Sequence, residues 1–284
     1  MQTNSQIILL DGATGTRLWS LAEEGGTARE PVWTYNISHP EYVAQVCREY
    51  AQAGSQILCA NTFGANRLAV EKVPGFTVEK TVAAGVRLAK DALAGTGVRT
   101  ALDIGPLPVM MEPYGDLEEE EAEELFSEMA EAGADAGADC VFLETFLDLE
   151  MLRVAAQAAK RTGLPVFCSM SFEKSGRTMM GNSVEDMIET LAPLAPAAIG
   201  MNCSLGPALA LPVIREFSEK TDLPLFFKPN AGMPVTRPDG STLYDCGPEQ
   251  FVAEVLPALE LVRYVGGCCG TDPRYIRDLK AKLV

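Results

Sequence analysis

The chain has 284 residues, with 23 Lys plus Arg against 39 Asp plus Glu and a formal net charge of -16. Such an acidic surface repels phosphate backbones and anionic lipid, which argues against nucleic acid and membrane surfaces as partners. Hydrophobic residues make up 47% and charged residues 22%, enough for a full core and not the composition of a disordered chain.

In chain order, short apolar runs alternate with amphipathic stretches, and Gly, Pro or Asp stands at most of the joints. The expected strands are Ile7 to Asp11, Gln56 to Asn61, Arg99 to Ile104, Cys140 to Thr145, Val166 to Ser171, Ala198 to Cys203, Leu225 to Pro229 and Tyr264 to Cys268. Each leads to a helical pattern: Pro40 to Ala53, Val78 to Leu93, Leu117 to Ala136, Leu149 to Arg161, Val184 to Leu194, Ala208 to Lys220, Pro248 to Val262 and Pro273 to Leu283. Eight strand-helix units in a chain of this length predict a single (β/α)8 TIM barrel spanning 1–284, with a doubly wound open sheet as the alternative. No G-x-G-x-x-G follows the first strand, which counts against that alternative.

None of the apolar runs approaches the roughly 20 residues of a membrane span, and residues 1–12 lack a basic leader, so a cytoplasmic protein is expected. Eight Cys are then read as buried thiols, metal ligands or catalytic groups rather than a disulfide framework. His39 is the one histidine, and its place before Pro40 suggests a turn or cap. The acidic run Leu117 to Leu125 reads as a solvated helix face, and Met110, Met111, Met129 and Met151 as core fillers.

In a barrel of this kind the chemistry collects at the C-terminal ends of the strands. There the sequence places Asp11, Asn61-Thr62, Gly105-Pro106, Glu144-Thr145, Ser169 and Ser171, Asn202-Cys203, Asn230 and Cys268-Cys269. Cys203 with Cys268 and Cys269 forms a candidate zinc site with an open fourth position. Adjacent strand residues face opposite ways, so Cys268 and Cys269 can share a metal only if the strand bends or stops. Cys47, Cys59, Cys140 and Cys168 read as core, and Cys246 as a loop thiol or fourth ligand. The turn Asp11-Gly12-Ala13-Thr14-Gly15 can point backbone N–H groups at a carboxylate, while Asp11 and Glu144 suit an ammonium.

The segments Leu9 to Leu18, Ala60 to Arg67, Asp103 to Pro108, Phe142 to Phe146, Gly200 to Pro207, Lys228 to Pro234 and Gly266 to Pro273 resemble the zinc-dependent homocysteine S-methyltransferases. The likeness is greatest to the homocysteine-binding domain of cobalamin-dependent methionine synthase. The resemblance implies a (β/α)8 barrel with zinc on Cys203, Cys268 and Cys269. It implies that Asp11 and Glu144 hold the homocysteine amino group, that Gly12, Ala13, Thr14 and Gly15 hold its carboxylate, that Asn202 lines the site, and that Asn230 fills the fourth zinc position before substrate arrives. The reaction expected is attack of a zinc-bound homocysteine thiolate on a methyl donor to give methionine, the donor being methylcobalamin on a separate corrinoid protein or module. A betaine- or S-methylmethionine-dependent enzyme is the alternative, with Trp19, Trp33, Tyr35 and Tyr114 as candidate cage aromatics. A non-enzymatic zinc-thiolate sensor is the alternative of another class. The mouth segments Gly12 to His39 and Ala231 to Gly247 are expected to leave the barrel open.

Overall fold

A computed structural model of the chain describes residues 7–236 and 242–283. Eight parallel strands form one sheet in the order β1 (Ile8–Leu9), β10 (Tyr264–Val265), β7 (Leu225–Lys228), β6 (Ala198–Asn202), β5 (Val166–Met170), β4 (Cys140–Phe146), β3 (Arg99–Ile104) and β2 (Ile57–Cys59). The ends of this order meet: Gln56 N–H donates to Leu9 O at 2.7 Å, and Leu9 N–H donates to Gln56 Oε1 at 2.9 Å. The sheet is therefore a nearly closed barrel ringed by helices, the (β/α)8 architecture. β8 (Pro234–Thr236) and β9 (Thr242–Tyr244) form a separate hairpin after β7.

Strand alternation sorts the barrel into layers. Leu10, Ile57, Ala101, Cys140, Phe142, Phe167, Ala198 and Phe226 point inward and pack as a compact inner core. Phe142 and Phe167 stack there with ring centroids 4.4 Å apart. Two residues further along their strands, one step nearer the C-terminal mouth, stand Asp103, Glu144, Ser169 and Lys228, with Asn202 at the end of β6, all buried. A polar layer thus rests on an apolar plug.

The helices follow their local chemistry. Proline opens Pro40–Ala53, Pro207–Lys220, Pro248–Val255 and Pro273–Lys280, where its missing N–H costs nothing. Ser183 and Asp186 form a reciprocal capping box on Val184–Leu191. Glu119, Glu120 and Glu121 occupy the first turn of Glu119–Asp135, favourable at the positive helix end, while Ala122 and Leu125 face the core. Two corrections to the sequence reading concern the mouth. Thr14–Glu24 is a helix rather than loop, and Met110 is exposed, not a core filler. The second expected mouth segment, Ala231 to Gly247, contains the hairpin and also crosses 237–241, outside the described residues.

Candidate active site

β10 stops at Val265, so Gly266 to Gly270 run free of strand geometry and both neighbouring cysteines can face one point. Gly267 N–H donates to Asp11 O at 2.9 Å, Cys268 N–H to Pro229 O at 2.8 Å and Cys203 N–H to Lys228 O at 3.1 Å. Gly267 lies so close to Thr271 that a Cβ there would sit 2.5 Å from its Oγ1. Cys203 and Ser204 both take positive φ, 62° and 58°, unusual for residues with side chains and concentrated at functional sites. The outcome is one cluster: the sulfurs of Cys203, Cys268 and Cys269 lie within 4.8 Å of one another.

Cys203 Sγ and Cys269 Sγ are 3.8 Å apart. Sulfur arms of about 2.3 Å at tetrahedral angles end about 3.8 Å apart, so the cluster fits a small thiophilic cation. Contact with Cys268, and burial, push the Cys203 thiol up to about 12, and contact with Cys203, then burial, push Cys269 up to about 11. Left to themselves the sulfurs stay protonated. A divalent cation supplies the charge that would make them thiolates. Asn230 is buried with Oδ1 lacking a hydrogen-bond partner, an orphan acceptor beside the residues that carry the sulfurs. Asn202, by contrast, is fully engaged. Its Oδ1 accepts from Thr145 N–H at 2.7 Å and Ser169 Oγ at 2.8 Å, and its Nδ2 donates to Thr145 Oγ1 at 2.8 Å and lies 3.6 Å from Cys268 Sγ.

Asp11 and Glu144 do converge, but on a residue that sequence reasoning passed over. Lys228 Nζ lies 3.1 Å from Asp11 Oδ1 and 2.9 Å from Glu144 Oε2, above the Phe142 ring at 5.7 Å. Asp11 Oδ2 accepts from Cys59 N–H at 2.7 Å, so both its oxygens are taken within the protein. Burial pulls the Lys228 ammonium down, yet the charges of Asp11 and Glu144 outweigh it and hold the group well above its ordinary value. Asp103 completes the cluster: its carboxyl, Glu144 and Cys59 lie within 4.8 Å of one another, and Asp103 Oδ1 has no hydrogen-bond partner. Burial, then the charge of Glu144, push the Asp103 carboxyl well up. The places of Asp103 and Lys228 near the mouth ends of their strands were readable in the sequence, but their pairing was not. Cys59, read as plain core, is buried but borders this polar cluster 3.8 Å from Lys228 Nζ.

The expected carboxylate turn is the start of the helix Thr14–Glu24, with Ala13 as its N-cap. Ala13 N–H is already given to Thr271 Oγ1 at 3.2 Å, while Thr14 Oγ1 is buried without a partner. Gly12 is required for packing, as a Cβ there would meet Thr271 Oγ1 at 2.6 Å. Tyr244 covers the other side, its hydroxyl reaching Cys269. A cleft of about 910 Å³ lined by Thr16, Arg17, Glu49, Tyr244, Gly270 and Asp272 lies beside these groups rather than over them. Cys246 is buried and stands outside the sulfur cluster. Trp33 and Tyr35 are buried in the core, the Tyr35 hydroxyl donating to Ala28 O at 3.1 Å, so they form no cage. His39 joins two helices and stacks on Tyr42, as a turn residue would.

The chain has relatives among known proteins, in sequence and in fold. Two methionine synthases are related in sequence: that of Mycobacterium leprae is 30% identical over 87% of this chain and 22% of its own length, and that of Mycobacterium tuberculosis 28% identical over 99% of this chain and 25% of its own. The chain therefore spans about a quarter of the length of the curated relatives it matches. The metallated form of the homocysteine methyltransferase MmuM from Escherichia coli superimposes with a TM-score of 0.80 at 23% identity, covering 98% of this chain and 96% of that one, a likeness of fold. The family model for homocysteine S-methyltransferase matches residues 8–283, and the chain belongs to that family.

Proposed function

We propose that this chain methylates the thiol of homocysteine, with zinc held by Cys203, Cys268 and Cys269. The observation that carries the reading is the gathering of three sulfurs from two strand ends within 4.8 Å of one another, two of them 3.8 Å apart, beside a buried carboxylate cluster. Zinc supplies Lewis acidity that lowers the pKa of an acceptor thiol from about 8.5, so that the thiolate prevails at neutral pH. The remaining work falls to the protein. Asn202 is held by Thr145 and Ser169 and fixes the neighbouring Cys268 sulfur; Asn230 presents its unpaired Oδ1. The first turn of Thr14–Glu24, with the Thr14 hydroxyl, takes the substrate carboxylate, since helix N-termini attract anions. Glu144 gives the substrate ammonium a negative seat, to which Asp11 adds its charge across Lys228. The thiol proton leaves to solvent, a sulfur–carbon bond forms to the methyl, and the bond from methyl to donor breaks with its electron pair leaving on the donor.

The donor we assign is methylcobalamin carried by a corrinoid protein or module. Phe63, Val109, Met110, Tyr114, Met179, Leu209, Val235 and Leu243 are eight of the nine large apolar side chains exposed among the described residues, and all eight stand on segments that follow strands at the mouth end. An apolar rim suits a docking domain better than open water. Assay of the zinc-loaded chain with homocysteine against methylcobalamin, a methylated corrinoid protein, betaine and S-methylmethionine tests the reading. Methionine is expected with the corrinoid donors. Cys203→Ser, Cys268→Ser and Cys269→Ser should each lose zinc and activity, while Cys47→Ala and Cys140→Ala keep both. Full metal content in the first three variants would remove the ligand assignment, and turnover with betaine or S-methylmethionine alone would remove the corrinoid.

A further inference from the structure

Once a metal makes thiolates of Cys203, Cys268 and Cys269, a bound substrate thiolate is a fourth nucleophile of the same kind within reach of one methyl donor. Selectivity among the four has to come from what surrounds each sulfur. At Cys268 the orientation of Asn202 is fixed, because Thr145 N–H can only donate and the atom 2.7 Å from it is therefore the amide oxygen. Nδ2 is then the atom turned to Cys268 Sγ, at 3.6 Å, while its other hydrogen goes to Thr145 Oγ1 at 2.8 Å. Both hydrogens of a fully buried amide are thus committed. At Cys269 the donor is Tyr244. Its ring packs on Gly270, where a Cβ would come within 2.2 Å of Cγ, and its hydroxyl reaches the Cys269 sulfur. At Cys203 the N–H of Ser204 turns to the sulfur from left-handed backbone, φ 58°. Each protein sulfur has a neutral donor. Asn230 Oδ1, the buried atom left open beside the residues that carry them, is an acceptor and has no hydrogen to give an incoming sulfur.

We propose that Asn202 and Tyr244 determine which sulfur is methylated: by donating to Cys268 and Cys269 they blunt the protein's own thiolates and leave the substrate's as the strongest nucleophile. The inference rests on the metal-thiolate reading argued above. A hydrogen bond to a thiolate lowers its basicity, and nucleophilicity falls with it at about half the sensitivity. A donor that lowers basicity about tenfold therefore slows attack about threefold. The step it restrains is methylation of the chain itself. A cysteine sulfur forms the bond to the methyl carbon, the bond from methyl to donor breaks with its electron pair leaving on the donor, and a thiolate ligand becomes a thioether.

The test exposes the zinc-loaded chain, without homocysteine, to methyl iodide and reads S-methylation cysteine by cysteine with peptide mass spectrometry. The ratio of the rate at Cys269 to the rate at Cys268 within one chain separates the hydrogen bonds from loss of zinc, which acts on both sulfurs. That ratio should rise about threefold in Tyr244→Phe and fall about threefold in Asn202→Ser. Tyr244→Phe keeps the ring on Gly270 and removes one oxygen, so it carries the test even if Asn202→Ser does not fold. An unchanged ratio in zinc-loaded Tyr244→Phe, or in a folded and zinc-loaded Asn202→Ser, would overturn the proposal and leave the methyltransferase reading intact. A wild-type chain that holds no zinc would sink both.

Discussion

A lysine sealed inside a barrel is costly unless its charge is met, and at Lys228 two carboxylates meet it within hydrogen-bonding distance. Removing one partner of such a group leaves the others buried and uncompensated. Lys228→Met should therefore destabilise the fold by about 3 to 5 kcal/mol, measured by denaturant unfolding. Asp103 behaves in the opposite sense. Its folded carboxyl is raised, so the native chain keeps a proton that the unfolded chain releases above about pH 4, and stability falls as pH climbs between those two values. Asp103→Asn removes that decline. The melting temperature of the variant should gain on that of the wild type as pH rises from 5 to 8, by about 2 °C for each kcal/mol relieved. A variant that melts lower than wild type at pH 8 would show that Asp103 stabilises the fold rather than burdening it.

Among the elements, β6 is tightly confined. It carries Gly200 inward, Asn202 one step higher and Cys203 at its end. A Cβ at Gly200 would lie 1.9 Å from Phe226 O, a backbone atom that no side-chain rotation can move aside. Gly200→Ala should push β6 from β7, and zinc content should fall along with the melting temperature; normal metal content would show that the sulfur cluster tolerates the shift. The strand-helix alternation was readable because both faces of each strand are apolar and each helix has one apolar face. The positions of Cys203, Glu144 and Asn202 followed directly. What escaped the sequence was set by contacts between distant segments. Thr14–Glu24 has no side-chain cap and follows a strand of two residues, so its start carries no local mark. Lys228 reads as a surface residue until its pairing with Asp11 and Glu144 is known, and the vacancy of Asp103 Oδ1 is defined by what the neighbours lack.

The chain carries a formal net charge of -16, yet eight of the nine large apolar side chains exposed among the described residues follow strands at the mouth end. Among the described residues no helix is long and apolar enough to cross a membrane. If the rim receives a donor protein, a charge placed on it should weaken that encounter and nothing else. Met179→Asp and Tyr114→Asp should lower turnover with a protein-borne methylcorrinoid several-fold while turnover with free methylcobalamin holds; equal loss with both donors would show that the rim serves the chemistry rather than docking.

Cys203 and the pair Cys268-Cys269 lie far apart along the chain and adjoin in space, one at the close of β6 and the others just past β10. Everything from Ser204 to Gly267, including β7 with its buried lysine and the hairpin at the mouth, hangs between them. A metal held at both ends would act as a clasp on this stretch of the barrel, a tie that the first half does not share. Stripping the metal should thus speed amide hydrogen exchange in Leu225–Lys228 and Pro248–Val255 far more than in Arg99–Ile104 or Glu119–Asp135. One cation would then set both the reactivity of the site and the local breathing of the strands that built it.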